Sequence, residues 1–235
     1  MLVETKTANL EDLKRMAAEA AIMYVRDGQV VGLGTGSTAR YVVLALGERV
    51  KAGLAIKGVA TSRETAELAR RSGIPLLETE DAWAIDVDID GADQVDPQIN
   101  LVKGGGGALL KEKIVAAAAR QVIIVVDHTK RVPCLGNPFP LPVEVIPFGW
   151  GSTARQLDDL GLKPVLRERN GQIFRTEAGH YILDLHIGRI ENPAELEIRL
   201  NVIPGVVETG LFVGRTDLLI VGTPGGVEVQ QGVRQ

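Results

Sequence analysis

The chain has 235 residues, 45% of them hydrophobic and 24% charged, and a formal net charge of −4. That balance suits a globular protein with a sizeable core. It excludes a global electrostatic pull toward nucleic acid or anionic lipid, and no run reaches the roughly 18 apolar residues of a membrane span. The single cysteine, Cys134, excludes an intrachain disulfide and fits a reducing compartment; with the mixed charges of MLVETKTANLEDLKRM it predicts a cytoplasmic protein.

The elements follow in chain order. Asn9 is placed to cap a helix, with Asp12 three positions on, and the helix is expected over residues 10–25. A strand is expected over 29–33, a turn over 34–37 and a helix over 38–51. Next come a strand at 55–60, a helix through 64–72, and short strands at 74–77 and 84–90. A helix over 108–120 and a β-branched strand over 122–126 complete the run. Strands alternating with helices predict an α/β fold with a parallel sheet covered on both faces.

The pattern changes near Leu135. GNPFPLPVEVIP carries prolines at 138, 140, 142 and 147, which suits a linker or an edge crossing. A helix over 150–160, strand-like runs over 163–168 and 181–187, and a helix over 193–200 then read as a small α+β unit. Short buried-strand character returns in GVVETGLFV and TDLLIVGTPGGVEV. The expected organisation is a Rossmann-like domain of residues 1–138 and 208–235, with a smaller α+β domain of residues 139–207 inserted.

Three segments carry candidate chemistry. In VVGLGTGSTARYV a strand ends in glycines, and Ser37 and Thr38 open a helix. Glycines let backbone amides approach a ligand, and a helix N-terminus favours an anion. Ser37 stands where a dinucleotide fingerprint needs glycine, and no lysine follows for a nucleoside-triphosphate loop, so a small phosphate is the better reading. A tight turn without ligand is the alternative.

In AIDVDIDGADQVD the side chains of Asp86, Asp88 and Asp90 share one strand face. Acids at every second residue resemble a calcium loop, but Pro97 stands where that loop needs a bidentate glutamate. A solvated strand face is the plainer reading. It weakens at the strand end, where parallel-sheet proteins place ligands, and where Asp90 and Asp93 are joined by the small Gly91 and Ala92.

In KGGGGALLKEKIVAAAAR, four glycines lead into a helix, and Glu112 has Ala108, Leu109, Val115 and Ala116 as its helical neighbours. An acid early in a helix gains about 0.3–1 kcal/mol from the dipole, but a solvated position would serve equally well. Burial would raise its pKa and make it a better general base, with Lys103 placed to meet developing negative charge. His128, His180 and His186 show no metal-ligand spacing and read as structural or surface residues.

Taken together, GTGSTA, DGADQVD, KGGGGALLKEK and PLPVEVIPFG, with IPGVVETGLF near the C-terminus, resemble the ribose-5-phosphate isomerase family, type A. The resemblance covers nearly the whole chain. It implies interconversion of ribose 5-phosphate and ribulose 5-phosphate in the non-oxidative pentose phosphate pathway. No metal or organic cofactor is implied, and the expected assembly is a homodimer or homotetramer. Carried over, the catalytic base falls on Glu112, with Asp90, Asp93 and Lys103 assisting. Substrate contacts fall on Thr35, Gly36, Ser37, Thr38, Gly91, Ala92, Gly104, Gly105, Gly106, Lys130 and, on the early helix, Lys14. Asp90 or Asp93 would help open the furanose ring.

One segment departs from the family pattern. Its acidic-Asn-Gly-Asn turn is here Thr176-Glu177-Ala178-Gly179-His180. The competing readings are a non-catalytic sugar-phosphate sensor, which would be expected to carry a DNA-binding unit ahead of the first strand, and an acyl-CoA transferase or lactonase, which would need a different groove.

Overall fold

The computed structural model describes residues 9–78, 80 and 82–234. Residues 1–8 of the N-terminal stretch read above lie outside them.

Asn9 caps the first helix as its sequence predicts, accepting from the Asp12 amide at 2.9 Å. That helix, α1, is Leu10–Ala21, and a 3-10 turn over Ile22–Tyr24 extends it. Then follow β1 (Val30–Leu33), α2 (Ser37–Lys51), β2 (Lys57–Ala60) and α3 (Arg63–Arg71). The strand expected at 74–77 is reduced to a single bridge between Leu76 and Gly58. Next are β3 (Ile85–Asp90), the short β4 (Gln94–Val95) and β5 (Leu101–Val102), α4 (Leu109–Ala118) and β6 (Ala119–Asp127). The helix expected to run through Arg120 stops at Ala118. Its last residues are alanines, which favour helix locally, but pairing of Ala119 with Ile85 of β3 overrides that preference.

The proline-rich run is not only a linker. Leu141–Val145 forms β7, buried at every position. Pro142 has no amide to donate, but its carbonyl still accepts from the Gly210 amide at 2.7 Å. After it come α5 (Trp150–Asp159), β8 (Pro164–Leu166), β9 (Glu168–Arg169), β10 (Gln172–Ile173), β11 (Tyr181–Leu185) and α6 (Pro193–Asn201). The chain closes with β12 (Val206–Thr209), β13 (Leu211–Phe212), β14 (Leu218–Thr223) and β15 (Gly226–Gln231).

The main sheet has the order β15-β14-β6-β3-β1-β2, parallel throughout except for the edge hairpin partner β15. One face packs Ala17, Ala18, Val42, Val43 and Leu46 of α1 and α2 against Leu33, Ile89, Ile123 and Val125. The opposite face packs Val115 and Ala116 of α4 against Val122, Ile124 and Val126. An antiparallel sheet, β12-β7-β11-β8, holds a third core under α5 and α6. A small sheet, β13-β5-β4, joins two short strands that follow β3 to one that follows β12. The architecture is α/β, a Rossmann-like core with additional smaller sheets. No helix among the described residues is long and apolar enough to cross a membrane.

The strand order reverses beside β1: β2 lies on one side of it and β3 on the other. In open α/β sheets the crevice at such a reversal, outside the carboxyl ends of the strands, is where ligands sit.

The close seat of α1 on the sheet depends on Gly222 of β14. A Cβ there would stand 2.0 Å from the Leu13 carbonyl oxygen, which is backbone and unable to swing away. Gly222→Ala is expected to cost about 1–3 kcal/mol and lower Tm by several degrees in a thermal melt. A wild-type Tm would mean that α1 does not approach β14 this closely.

Candidate active site

The loops after β1 and β3 meet at the reversal point, and the glycine turn before α4 closes over them. They line a cavity of about 100 Å³ with Thr35, Gly36, Ser37, Thr38, Gly91, Ala92, Asp93, Lys103, Gly104, Gly105, Gly106, Glu112 and Lys130. These are residues that the sequence singled out. Asp90 lies directly beneath them. Lys14 is not among the lining residues, and its ammonium pairs with Glu11 at 2.6 Å. The Lys14 side chain is only 13% exposed, so it packs beside Glu11 without reaching the cavity wall.

At the floor sits Lys103, 3% exposed. Its Nζ donates to the Gly91 carbonyl at 2.6 Å and lies 3.0 Å from Asp90 Oδ2 and 3.4 Å from Glu112 Oε2. The ammonium thus holds both carboxylates as a shared buried ion pair. Asp90 Oδ1 is occupied otherwise, accepting from the amides of Gly91 at 2.7 Å and Thr35 at 3.0 Å. Asp93 Oδ2 accepts from the Gly105 amide at 2.8 Å, which ties the β3 loop to the glycine turn.

Burial dominates the ionisation of this cluster. It pushes the Glu112 carboxyl up to about 8, against the nearby Lys103 charge, while Asp90 and Asp93 add to the rise. Burial also raises Asp90, opposed by Lys103. For Lys103, burial by itself would favour the neutral amine, but Asp90 and Glu112 outweigh it and hold the ammonium above the ordinary lysine value. The lysine is therefore charged at neutral pH, and Glu112 is poised near its working range.

Backbone freedom makes the floor possible. A Cβ at Gly34 would stand 2.0 Å from Asp90 Oδ1, and one at Gly32 would stand 2.4 Å from Asp88 Oδ1. Two glycines on β1 thus leave slots for two aspartates on β3. The solvated face considered for those acids is instead packed beneath α4: Asp88 and Asp90 are each 1% exposed. Asp88, beside Asp90, is pushed up to about 8, chiefly by burial and then by the Asp90 charge.

At the other end of the cavity, α2 begins at Ser37. Its N-cap is Gly36, with φ 114° and no capping side chain. The first-turn amides of a helix have no partner within it, so they are free for an anion here. Lys130 reaches the same cavity from the 3-10 turn His128–Lys130 that follows β6. Among the described residues no group of three or more His, Cys, Asp or Glu side chains is arranged to hold a metal ion.

Sequence reasoning missed two supports. Thr35 Oγ1 lies 2.7 Å from Thr61 Oγ1 and donates to Ser62 Oγ at 2.9 Å, while Thr65 Oγ1 donates to the Gly34 carbonyl at 2.9 Å. Three hydroxyls at the end of β2 and the start of α3 thus order the phosphate-loop candidate. Their clustering in TSRET was the available signal. Arg167, paired with Asp184, donates to the carbonyls of Gly104 at 2.8 Å and Gly105 at 3.2 Å. Nothing local in the sequence announces that contact. The departing turn docks here too: Glu177 accepts from the Arg63 amide at 2.8 Å and from Lys111 at 2.7 Å. Thr176 and His180 both meet the buried Glu144 of β7.

The chain resembles known proteins over nearly all of its length. The family model of ribose 5-phosphate isomerase A (phosphoriboisomerase A) matches residues 57–226. A ribose-5-phosphate isomerase A of Gloeobacter violaceus is 53% identical over 222 residues, 94% of this chain and 96% of the relative. One of Bacillus anthracis is 51% identical over 218 residues, covering 92% and 99%. Among solved structures, a D-ribose-5-phosphate isomerase in complex with phospho-erythronic acid superposes with a TM-score of 0.92 at 42% identity, covering 95% of this chain and all of that one. The enzyme of Methanocaldococcus jannaschii gives 0.90 at 40% identity, covering 94% and 99%. The chain belongs to the ribose 5-phosphate isomerase A family of aldose–ketose isomerases.

Proposed function

We propose that the protein interconverts D-ribose 5-phosphate and D-ribulose 5-phosphate through an enediolate, with Glu112 carrying the proton between C2 and C1. The observation that carries this reading is a single buried carboxyl, raised to about 8, facing a glycine-lined cavity with a buried ammonium 3.4 Å away. The named activity of the relatives supports it. The reaction places the chain in the non-oxidative pentose phosphate pathway.

The roles follow from the geometry. The phosphate, which does not react, sits against the free amides of α2 and the hydroxyls of Ser37 and Thr38, with Lys130 adding charge. The bound phospho-erythronic acid of the similar solved isomerase, a sugar acid with a phosphate, has chemistry that these groups also fit. Asp93 lines the cavity, whereas Asp90 is committed to two amides and to Lys103. Asp93 is therefore the group that takes the anomeric hydroxyl proton and returns it to the ring oxygen as the C1–O4 bond breaks, and Asp90 holds the lysine in place. Glu112 then removes the C2 proton, and negative charge grows on the carbonyl oxygen. Lys103 and the amides of Gly104 and Gly106 stabilise that charge. Glu112 returns the proton to C1 while the C2 hydroxyl proton passes to O1, so C2 becomes the carbonyl and the proton count is unchanged over the cycle.

Glu112→Gln is nearly isosteric and removes the base, so turnover is expected to fall by about 10²–10⁴-fold or more with folding retained. A purified, folded variant within about tenfold of the wild-type rate would rule out Glu112 as the base.

The raised carboxyl also sets a pH dependence. Glu112 must be ionised to act, so kcat/KM is expected to rise with pH through about 8 in the wild type. The sign for stability is opposite. The folded protein holds this proton more tightly than the unfolded chain, so stability from this group is complete below about 4.5 and is lost as pH rises through about 8. A kcat/KM profile flat between pH 6 and about 9 would contradict the assignment.

Lys130→Ala tests the phosphate end. A charge on the phosphate acts on substrate and transition state almost equally, so KM is expected to rise more than kcat falls, with weaker competition by inorganic phosphate. Loss of kcat at unchanged KM, with phosphate failing to compete even in the wild type, would place the phosphate elsewhere.

A further inference from the structure

The helix that carries Glu112 begins without a cap. Its N-cap residue is Ala108, and no side chain bonds to its first-turn amides. Its orientation is therefore set by what its own side chains reach. Two lysines flank Glu112 in sequence, and each reaches a different neighbour. Lys111 meets Glu177 at 2.7 Å, but that pair is well exposed and so holds weakly.

Lys113 is different. It is 4% exposed, and its Nζ donates to Glu208 Oε1 at 2.7 Å, Glu197 Oε1 at 3.0 Å and the Thr209 carbonyl at 2.9 Å. All three protons of the ammonium are used. Glu208 and Thr209 belong to β12, and Glu197 to α6. The ammonium also lies 4.9 Å from the centre of the Phe212 ring, and the same ring lies 5.5 Å from the Lys103 ammonium. The two buried lysines thus meet on one aromatic spacer, each with its own pair of carboxylates.

Successive side chains on a helix are separated by about 100° around its axis. Fixing Lys113 from outside therefore fixes the direction in which Glu112 points. We propose that Lys113 is a positioning residue for the isomerisation: it clamps α4 to β12 and α6 and so sets the angle at which Glu112 faces the cavity and Lys103. The proposal rests on Glu112 being the base. Lys113 has no place among the residues lining the cavity, so it acts through α4 and not on the substrate.

The test uses the full chain and ribose 5-phosphate. Lys113→Met keeps the length of the side chain and removes its charge. Its kcat is expected to fall about 10–100-fold, the scale of a displacement near 1 Å, while KM and inhibition by inorganic phosphate stay within about twofold. The pH limb of kcat/KM is expected to move by about half a pH unit or more, because both the burial of Glu112 and its distance from Lys103 depend on where α4 sits. Lys113→Arg, which keeps a charged donor, is expected to recover most of the lost kcat. A merely structural lysine would lower Tm and the folded fraction but leave the pH limb of the folded enzyme in place. That outcome, or a kcat within about twofold of wild type in folded Lys113→Met, overturns the proposal. If Lys113→Met fails to fold, Glu208→Gln decides the matter. It leaves Glu197 and the Thr209 carbonyl on the ammonium and is expected to lower kcat about threefold at constant KM, and an unchanged kcat overturns the proposal. Glu112→Gln runs in the same assay. An active Glu112→Gln would remove the base reading itself, whereas an inactive one beside a fully active Lys113→Met would remove only the positioning role.

Discussion

A lysine ammonium buried between two carboxylates is the constraint around which the rest is arranged. Taking Lys103 out of water is unfavourable by itself, and Asp90 and Glu112 offset that by charge. The same three groups cannot relax toward solvent, because each is 5% exposed or less. Burial raises both carboxyls, and the single ammonium only partly offsets it. Asp90 is in addition fastened by two backbone amides. The arrangement resembles the general device by which enzymes keep a carboxyl near neutrality, where environment and not residue type assigns the role.

The sheet is built to receive that cluster. Gly32 and Gly34 give up side chains on β1 so that Asp88 and Asp90 of β3 fit alongside. The strand order reverses at the same place, which opens the crevice above them. Around the rim, backbone supplies most of the polar surface: the free amides of α2, the Gly91 carbonyl and the glycine turn before α4. Arg167, which follows β8 and pairs with Asp184 of β11, holds that turn by its carbonyls, so the second sheet takes part in shaping the cavity without offering a lining residue.

Much of this was legible in the sequence because its signals are local. The alternation of β-branched runs with helical periods gave the parallel sheet, and the glycine-rich turns lie where strands hand over to helices. Asp90, Asp93, Lys103 and Glu112 converge as their motifs suggested. What escaped depends on partners distant in the chain. β7 hides among prolines because Pro142 lacks a donor, and only its neighbours β11 and β12 make it a central strand. β4 and β5, two residues each, are too short to show a period. The end of α4 at Ala118 is set by pairing of Ala119 across to Ile85. The roles of Arg167 and Lys113 are written in the side chains they meet and not in their own surroundings.

The pairing of β6 with β14 has a consequence for how the chain reaches this state. Ile123 lies against Leu218, so two adjacent parallel strands of the main sheet are separated by most of the second half of the chain. By contrast, the antiparallel sheet draws all its strands from residues 141–209, with β7 and β11 closing a much shorter loop. Loop-closure entropy must be met before distant contacts stabilise anything, so long-range parallel pairing is slow. The pairing of β6 with β14 is thus expected to follow the shorter closures of β1 with β2, β3 with β6 and β7 with β11. The edge hairpin β14–β15 is itself a local closure, and the residues lining the crevice, all within 35–130, precede it in the chain.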